Sequence, residues 1–238
     1  MITMIAATLM LKGQGPSISQ FVQPGFKDAS FQIKLIYANQ SELGKINRDF
    51  GTSYKFKTMD AKLKEPFMLR LTGSVEDTDV LFIQNGIDRL YSIPKLHIKQ
   101  RENLDDEPGK RQTPLDFGFL TPSMFGSGGN ELFESKFVRE DRATGNTVFD
   151  ITYNPKYKYK SYYRVWLDPQ KHYITKREWY RRDRQLATFY YSNPVQQDGV
   201  WLPTHLLVKN VDDKRAGETE YAAMKVNTGL DDSMFKAK

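Results

Sequence analysis

The sequence predicts a mainly β protein, a half-open antiparallel β-barrel made of one strongly curved sheet of about 9–12 strands, with short helices or a loop covering its concave face. Three observations carry that expectation. Aromatic and charged residues alternate with period two through the last third of the chain, in 162–169, 173–180, 186–191, 199–203 and 206–208, closing on 224–235. These runs are cut by Asp168-Pro169, Asn193-Pro194 and Asp198-Gly199, the punctuation of an antiparallel meander. Aromatics make up 13% of the chain and hydrophobic residues 39%, so strands with one apolar face can build an interior from few, large side chains.

From the N-terminus, residues 1–11 are apolar and too short to span a bilayer. Their length suits the hydrophobic region of an export signal, but no basic residue precedes them and no small-x-small cleavage site follows. A signal remnant and a short helix packed on the domain both fit. The expected division is 1–16 as an apolar segment and 17–238 as a single domain. A short amphipathic piece with Ile18, Phe21 and Val22 reaches Pro24-Gly25. Residues 31–37 alternate cleanly and put Phe31, Ile33 and Leu35 on one face of the first long strand. Further strands are expected over 54–59, 67–71 and 80–84, and Asn85-Gly86 offers a two-residue hairpin turn into 88–93.

Between 100 and 130 the alternation stops. Residues 102–108 are acidic and turn-rich, and 113–125 mixes prolines with Leu115, Phe117, Phe119, Leu120, Met124 and Phe125. A long loop rich in Phe and Met is expected to form short helical turns. Leu115, Phe117, Phe119, Met124 and Phe125 would then make a hydrophobic lid over one mouth of the sheet, hinged at Pro114, Pro122 and the glycine-rich 126–129. Strands resume near 133, with 136–140 and 147–153 ahead of the alternating block.

Catalytic chemistry finds little support. The chain has no cysteine, which excludes disulfides, thiolate metal sites and a Cys nucleophile. His97, His172 and His205 are isolated, with no metal-ligand spacing, and Asp105, Asp106 and Glu107 read as a solvated acidic turn. Gly126-Ser127-Gly128-Gly129 lacks the Lys-Ser/Thr of a phosphate loop. The net charge of +6 is spread among 29 acids and suits a mixed wet surface. Lys156-Tyr157-Lys158-Tyr159-Lys160, with Arg181, Arg182 and Arg184, interleaves cations and rings as a single-strand nucleic-acid binder would. The preferred reading sets those lysines on the wet face of a strand, with 181–184 at a hairpin tip, and no nucleic-acid partner.

What remains is an excess of large apolar residues on one strand face. Phe31, Ile33, Leu35, Phe67, Leu69, Leu71, Leu81, Ile83, Val165, Leu167, Trp179, Phe189, Tyr191, Leu206 and Val208, all pointing inward, would give a broad apolar concave face. Periodicity leaves open whether that face is solid core or a cavity kept for an acyl ligand. Arg70 and Arg164 are expected near its rim, where either could meet a phosphate or carbonyl.

Several segments together carry a resemblance. Leu63-Lys64-Glu65-Pro66-Phe67-Met68-Leu69-Arg70-Leu71 is followed by Ile83-Gln84-Asn85-Gly86, Trp166-Leu167-Asp168-Pro169 and Lys176-Arg177-Glu178-Trp179-Tyr180. Gly199-Val200-Trp201-Leu202-Pro203-Thr204 and residues 226–235 complete the series. In order and spacing it resembles the LolA/LolB-like superfamily, the lipoprotein carriers and outer-membrane lipoprotein-sorting proteins. The resemblance covers most of the chain. It implies non-catalytic binding and transport of lipid or an acylated lipoprotein in the bacterial periplasm, with no metal and no cofactor. The implied partners are acyl chains and membrane-associated donor or acceptor proteins. A periplasmic sensor or interaction module on the same fold is the alternative. One departure is plain: no amphipathic helix of several turns precedes Phe31, so the covering role falls to 113–125.

Overall fold

The computed structural model describes residues 15–126 and 132–236; the apolar residues 1–11 and the glycines at 128 and 129 lie outside them. The strands are β1 (Asp28–Ala38), β2 (Thr58–Lys64), β3 (Met68–Val75), β4 (Thr78–Asn85), β5 (Asp88–Ile93), β6 (Ile98–Asn103) and β7 (Phe133–Glu140). They continue as β8 (Thr147–Tyr153), β9 (Ser161–Leu167), β10 (Ile174–Arg181), β11 (Arg184–Gln197), β12 (Val200–Asn210) and β13 (Arg215–Val226). All thirteen form one antiparallel sheet in the order β6-β5-β4-β3-β2-β1-β13-β12-β11-β10-β9-β8-β7. Two short helices, α1 (Gln40–Ile46) and α2 (Arg48–Ser53), sit between β1 and β2. No helix among the described residues is long and apolar enough to cross a membrane.

This order has a mechanical consequence. The chain starts at mid-sheet, meanders out to β6 at one edge, and must then cross to β7 at the other edge before meandering back beside β1. The sheet does not close, because β6 and β7 are its two ends. The crossing segment, residues 104–126, runs over the concave face and buries Leu104, Leu115, Phe117, Phe119, Leu120 and Met124. It contains no regular strand or α-helix, only 3-10 turns at Pro108–Lys110, Pro114–Phe117 and Pro122–Phe125.

Two further inserts fill the same face. The 3-10 turn Ile18–Gln20 is capped by Ser17 and delivers Ile18, Phe21, Val22 and Phe26 to the core, Phe21 against Phe149 and Phe26 against Phe119. Helix α1 starts at Asn39, whose side chain accepts from the Ser41 and Glu42 N–H groups. It buries Leu43 and Ile46 on one side, and Phe50 and Tyr54 follow, Phe50 packing edge-on to Phe189. The expected strand over 54–59 is therefore displaced: Tyr54 lies in the turn after α2, and β2 begins at Thr58. Likewise the closing strand is 215–226, and 224–235 ends in a 3-10 turn, Asp232–Phe235.

That turn packs on the opposite, convex face of β3 and β4. Phe235 is completely buried there, on the side that also carries the buried Ile83 and Leu90. Lys62 and Arg70 reach the same tail: Arg70 Nη1 donates to the Met234 carbonyl at 3.1 Å and Lys62 Nζ contacts Met234 Sδ at 3.7 Å. The buried Asp28 carboxylate fixes the approach, accepting from the N–H groups of Thr228, Gly229 and Leu230 at 2.8, 3.0 and 3.3 Å. Truncating Phe235→Ala is expected to cost about 3 kcal/mol of stability, at the lower end of the range for a buried Phe. Urea unfolding followed by circular dichroism checks it; a midpoint equal to the wild type would mean the tail contributes nothing.

Candidate ligand-binding site

Cross-strand partners share a face of a sheet, so the ladder registers define the concave surface. Across β7 to β13 one row reads Phe137, Phe149, Val165, Arg177, Phe189, Val208, Gly217. Six members are apolar or lack a side chain, and the Tyr54 ring occupies the space over Gly217. The seventh is an arginine at the middle of the row. Parallel rows add Ile151, Tyr163, Trp179 and Ala187 on one side, and Tyr191, Leu206, Thr219 and Leu35 on the other.

Arg177 is 4% exposed, and its Nη1 donates to Asp116 Oδ1 at 2.8 Å. The guanidinium lies 4.1 Å from the Phe189 ring centroid and 5.1 Å from that of Tyr163, a cation–π sandwich that partly replaces its lost hydration. Its Nε is buried without a hydrogen-bond partner among the described residues. Burial works to strip the Arg177 proton, but Tyr191, Asp116 and Tyr163 hold its pKa above the ordinary guanidinium value.

The crossing segment supplies the carboxylate. Asp116 sits at the third position of the turn Pro114–Phe117 in a capping box with Thr113, its Oδ2 accepting from the Thr113 N–H at 3.0 Å. The Tyr191 hydroxyl donates toward the Leu115 and Asp116 carbonyls at 3.4 and 3.3 Å. Gly118 follows with φ +88°, and a Cβ there would stand 2.5 Å from the Tyr191 ring, so only glycine lets the backbone turn so close to the sheet. Phe119 then bridges to Tyr173, and the Ile174 N–H donates to the Gly118 carbonyl at 2.8 Å.

Polar anchors at the flanks hold the same segment. The fully buried Gln84 on β4 accepts from the Gln112 N–H and donates to its carbonyl, both at 2.8 Å. Thr121 donates to Glu65 Oε1 at 2.9 Å, and burial raises the Glu65 carboxyl pKa. The Gln23 N–H donates to the Leu120 carbonyl at 2.8 Å.

Most of the expected lining residues come together here. Phe31, Leu69, Val165, Leu167, Phe189, Tyr191, Leu206 and Val208 are buried in the main apolar cluster, with Ile33, Leu35, Phe67, Leu71 and Trp179 packed against it. Leu115, Phe117, Phe119 and Met124 meet them from the crossing segment, while Phe125 is half-buried beside Phe133. Between β2, β3 and Phe117 lies a void of about 10 Å³, room for roughly one water.

Four expected positions fall on the other face. Register pairs Leu81 with Thr72 and Ile83 with Arg70, so the inward residues of β4 are Val80, Phe82 and Gln84. Arg70 is convex for the same reason. Arg164 lies on the convex side of β9, opposite to its neighbour Val165, and forms a fork with Asp150 at 2.7 and 3.0 Å. Neither arginine is near a concave rim. Arg177 and Asp116 were not singled out from sequence, since nothing local tells an inward arginine from an outward one.

The convex face also holds a hydroxyl–imidazole–carboxylate series. Ser192 Oγ lies 2.9 Å from His205 Nδ1, and His205 Nε2 lies 2.7 Å from Glu218, which also binds Arg215. It is a polar ladder across β11, β12 and β13. Among the described residues no cluster of His, Cys, Asp or Glu is placed to hold a metal ion.

An open, strongly curved antiparallel sheet with a covered concave face is the LolA-like fold, and the comparisons agree. A domain named for outer membrane lipoprotein sorting from Vibrio parahaemolyticus superposes with a TM-score of 0.60 at 16% identity, covering 92% of this chain and 93% of that one. A LolA superfamily protein from Nitrosomonas europaea gives 0.54 at 14%, covering 92% and 94%. A DUF1329 family protein from Desulfovibrio piger gives 0.53 at 13%, covering 92% of each. A family model described as "Uncharacterized protein" matches residues 125–238. No curated protein matches the sequence.

The tyrosines of this interior give a pH signature. Burial pushes the Tyr163 hydroxyl up to about 12 and also raises those of Tyr54, Tyr153, Tyr191 and Tyr221. An unfolded tyrosine ionises near pH 10, so above that value the folded state binds more protons and stability falls as pH rises. The expected slope is about 1.4 kcal/mol per pH unit for each tyrosine, from the unfolded pKa up to the folded one. Tyrosinate absorbance should appear together with unfolding; a gradual titration with an unchanged urea midpoint would mean that the rings reach water.

Proposed function

We propose that this protein is a non-catalytic carrier that takes up an acyl chain of a lipid or lipoprotein on the concave face of its sheet. The chain would enter as residues 113–125 swing off. The observation that carries this reading is the ion pair that the buried Arg177, set in an apolar interior, makes with the half-buried Asp116. Replacing a buried ion pair by apolar side chains of similar volume is often neutral or stabilising by about 1–4 kcal/mol, so Arg177 is a poor choice for a permanent core. As the catch of a movable cover it makes sense, because an opened Asp116 and Arg177 can be rehydrated.

The magnitudes permit the exchange. Five buried lid side chains, Leu115, Phe117, Phe119, Leu120 and Met124, contribute about 7–15 kcal/mol at about 1.5–3 each. An acyl chain of about a dozen methylenes offers roughly 10 kcal/mol at about 0.8 per CH₂. Ligand and lid therefore compete for one surface on nearly equal terms. The opened Arg177 would face the polar end of the ligand. Further support comes from the fold shared with a lipoprotein-sorting domain and a LolA superfamily protein. On this reading the protein works in the bacterial periplasm, with membrane-associated donors or acceptors and no cofactor.

Two variants separate a catch from a core. Asp116→Asn leaves the guanidinium buried and unpaired, which disfavours the closed state by about 3–5 kcal/mol. It should raise binding of an apolar fluorescent probe at least tenfold and speed hydrogen exchange in 113–125. The double variant Arg177→Met/Asp116→Asn, which removes both charges, should close the face and weaken probe binding, with stability equal to or above the wild type. Native mass spectrometry of protein from its own host should show co-bound lipid. No lipid, and no probe binding to a folded Asp116→Asn protein, would make the face a solid core and the carrier reading wrong.

A further inference from the structure

Residues 154–160 do not form the strand that their alternation suggests. Asn154 caps a 3-10 turn at Pro155–Tyr157, Lys158 takes φ +51°, and β9 begins only at Ser161. The lysines therefore project from a loop. Beside it stands the β10–β11 hairpin tip, where Arg182 and Asp183 occupy left-handed backbone at φ 49° and 61°. The Arg182 N–H donates to the Lys160 carbonyl at 2.9 Å, joining tip and loop into one surface. A surface cavity of about 390 Å³ opens between them, lined by Tyr159, Lys160, Tyr162 and Arg182 among others.

Charge is concentrated there. Lys156, Lys158, Lys160, Arg181, Arg182 and Arg184 are all exposed, with Asp183 the one acid within the two segments. The patch therefore carries five net positive charges, against +6 for the whole chain. Among the described residues, Lys158, Lys160, Arg181, Arg182 and Arg184 take part in no ion pair. Like charges held this close repel one another and raise the local potential, which an anionic partner relieves.

The rings decide between two kinds of partner. A single-strand nucleic-acid site needs open aromatic faces on which bases stack. Here the faces are engaged: Lys156 and Arg111 lie over Tyr157 at 5.0 and 5.2 Å, and Tyr162 stacks on Tyr180 at 4.7 Å and 3°. Tyr159 meets Tyr153 edge to face at 4.9 Å. The surface presents cations and withholds rings. We propose that this tip docks the protein on an anionic phospholipid bilayer, with one headgroup phosphate seated between Lys160 and Arg182. None of the concave-face residues takes part, so docking stands or falls separately from acyl binding.

The test is co-sedimentation of the full chain with phosphatidylcholine vesicles, with and without phosphatidylglycerol. Binding is expected only to the anionic vesicles and should vanish at high salt. Each cation removed should weaken it about fivefold, so replacing Lys158, Lys160, Arg181, Arg182 and Arg184 together by Gln should cost more than about a hundredfold. A control with five exposed lysines elsewhere, Lys27, Lys34, Lys99, Lys136 and Lys225, changed to Gln should bind nearly as well as wild type. Circular dichroism verifies folding, and Asp183→Asn gives an independent arm that should tighten binding. Equal loss in the control, binding to neutral vesicles alone, or a preference for single-stranded oligonucleotide that survives salt would each overturn the proposal.

Discussion

The ion pair between the buried Arg177 and the half-buried Asp116 is the constraint around which the interior is arranged. A guanidinium in the middle of a row of Phe and Val cannot remain charged without a partner, and it cannot readily lose its proton. A carboxylate must therefore be brought to it from off the sheet. Much of the local detail follows from that need. Thr113 and Asp116 cap a short turn, Gly118 bends away beneath Tyr191, and the Tyr191 hydroxyl bonds the turn's carbonyls. The apolar side chains of the crossing segment are seated as a consequence.

Topology makes such a segment unavoidable. Because β1 lies mid-sheet and β6 and β7 are opposite edges, the chain must cross the whole sheet once. Crossing on the concave side buries apolar surface, while a path without regular structure leaves backbone groups to satisfy. Side chains of the sheet and its turns supply partners at few points: Gln84, Glu65 and Tyr191. A cover held by a handful of polar contacts differs from a strand locked into a ladder. The free β6 edge is a separate hazard. Its exposed Lys99 and Arg101 discourage pairing with another chain.

The two faces divide the labour. The concave side is aromatic and apolar around one charge, whereas the convex side carries polar ladders such as Asp150–Arg164 and Ser192–His205–Glu218. One exception is the small apolar patch of Ile83 and Leu90 on that side, which the tail covers with Phe235. The strongest charge lies at a third place, the tip formed by the β8–β9 loop and the β10–β11 hairpin.

Alternation with turn chemistry placed some strands well, β5 and β8 lying over 88–93 and 147–153, but the alternating 154–160 after Asn154-Pro155 is a loop. Helix α1 had a readable start, since Asn39 and Glu42 have capping spacing and Leu43 and Ile46 share a face, but its short length hid it. Strand β6 was invisible because an edge strand exposed on both faces needs no apolar period. Composition and period determined the class of fold and which residues are greasy. They did not determine which way each strand faces its neighbours, because a slip of one residue exchanges the two sides of a sheet. Leu81, Ile83, Arg70 and Arg177 were therefore placed by pairing alone. So was the meeting of Arg177 with Asp116, 61 residues apart in the chain, because a contact of that span belongs to the register of the whole sheet and has no local trace.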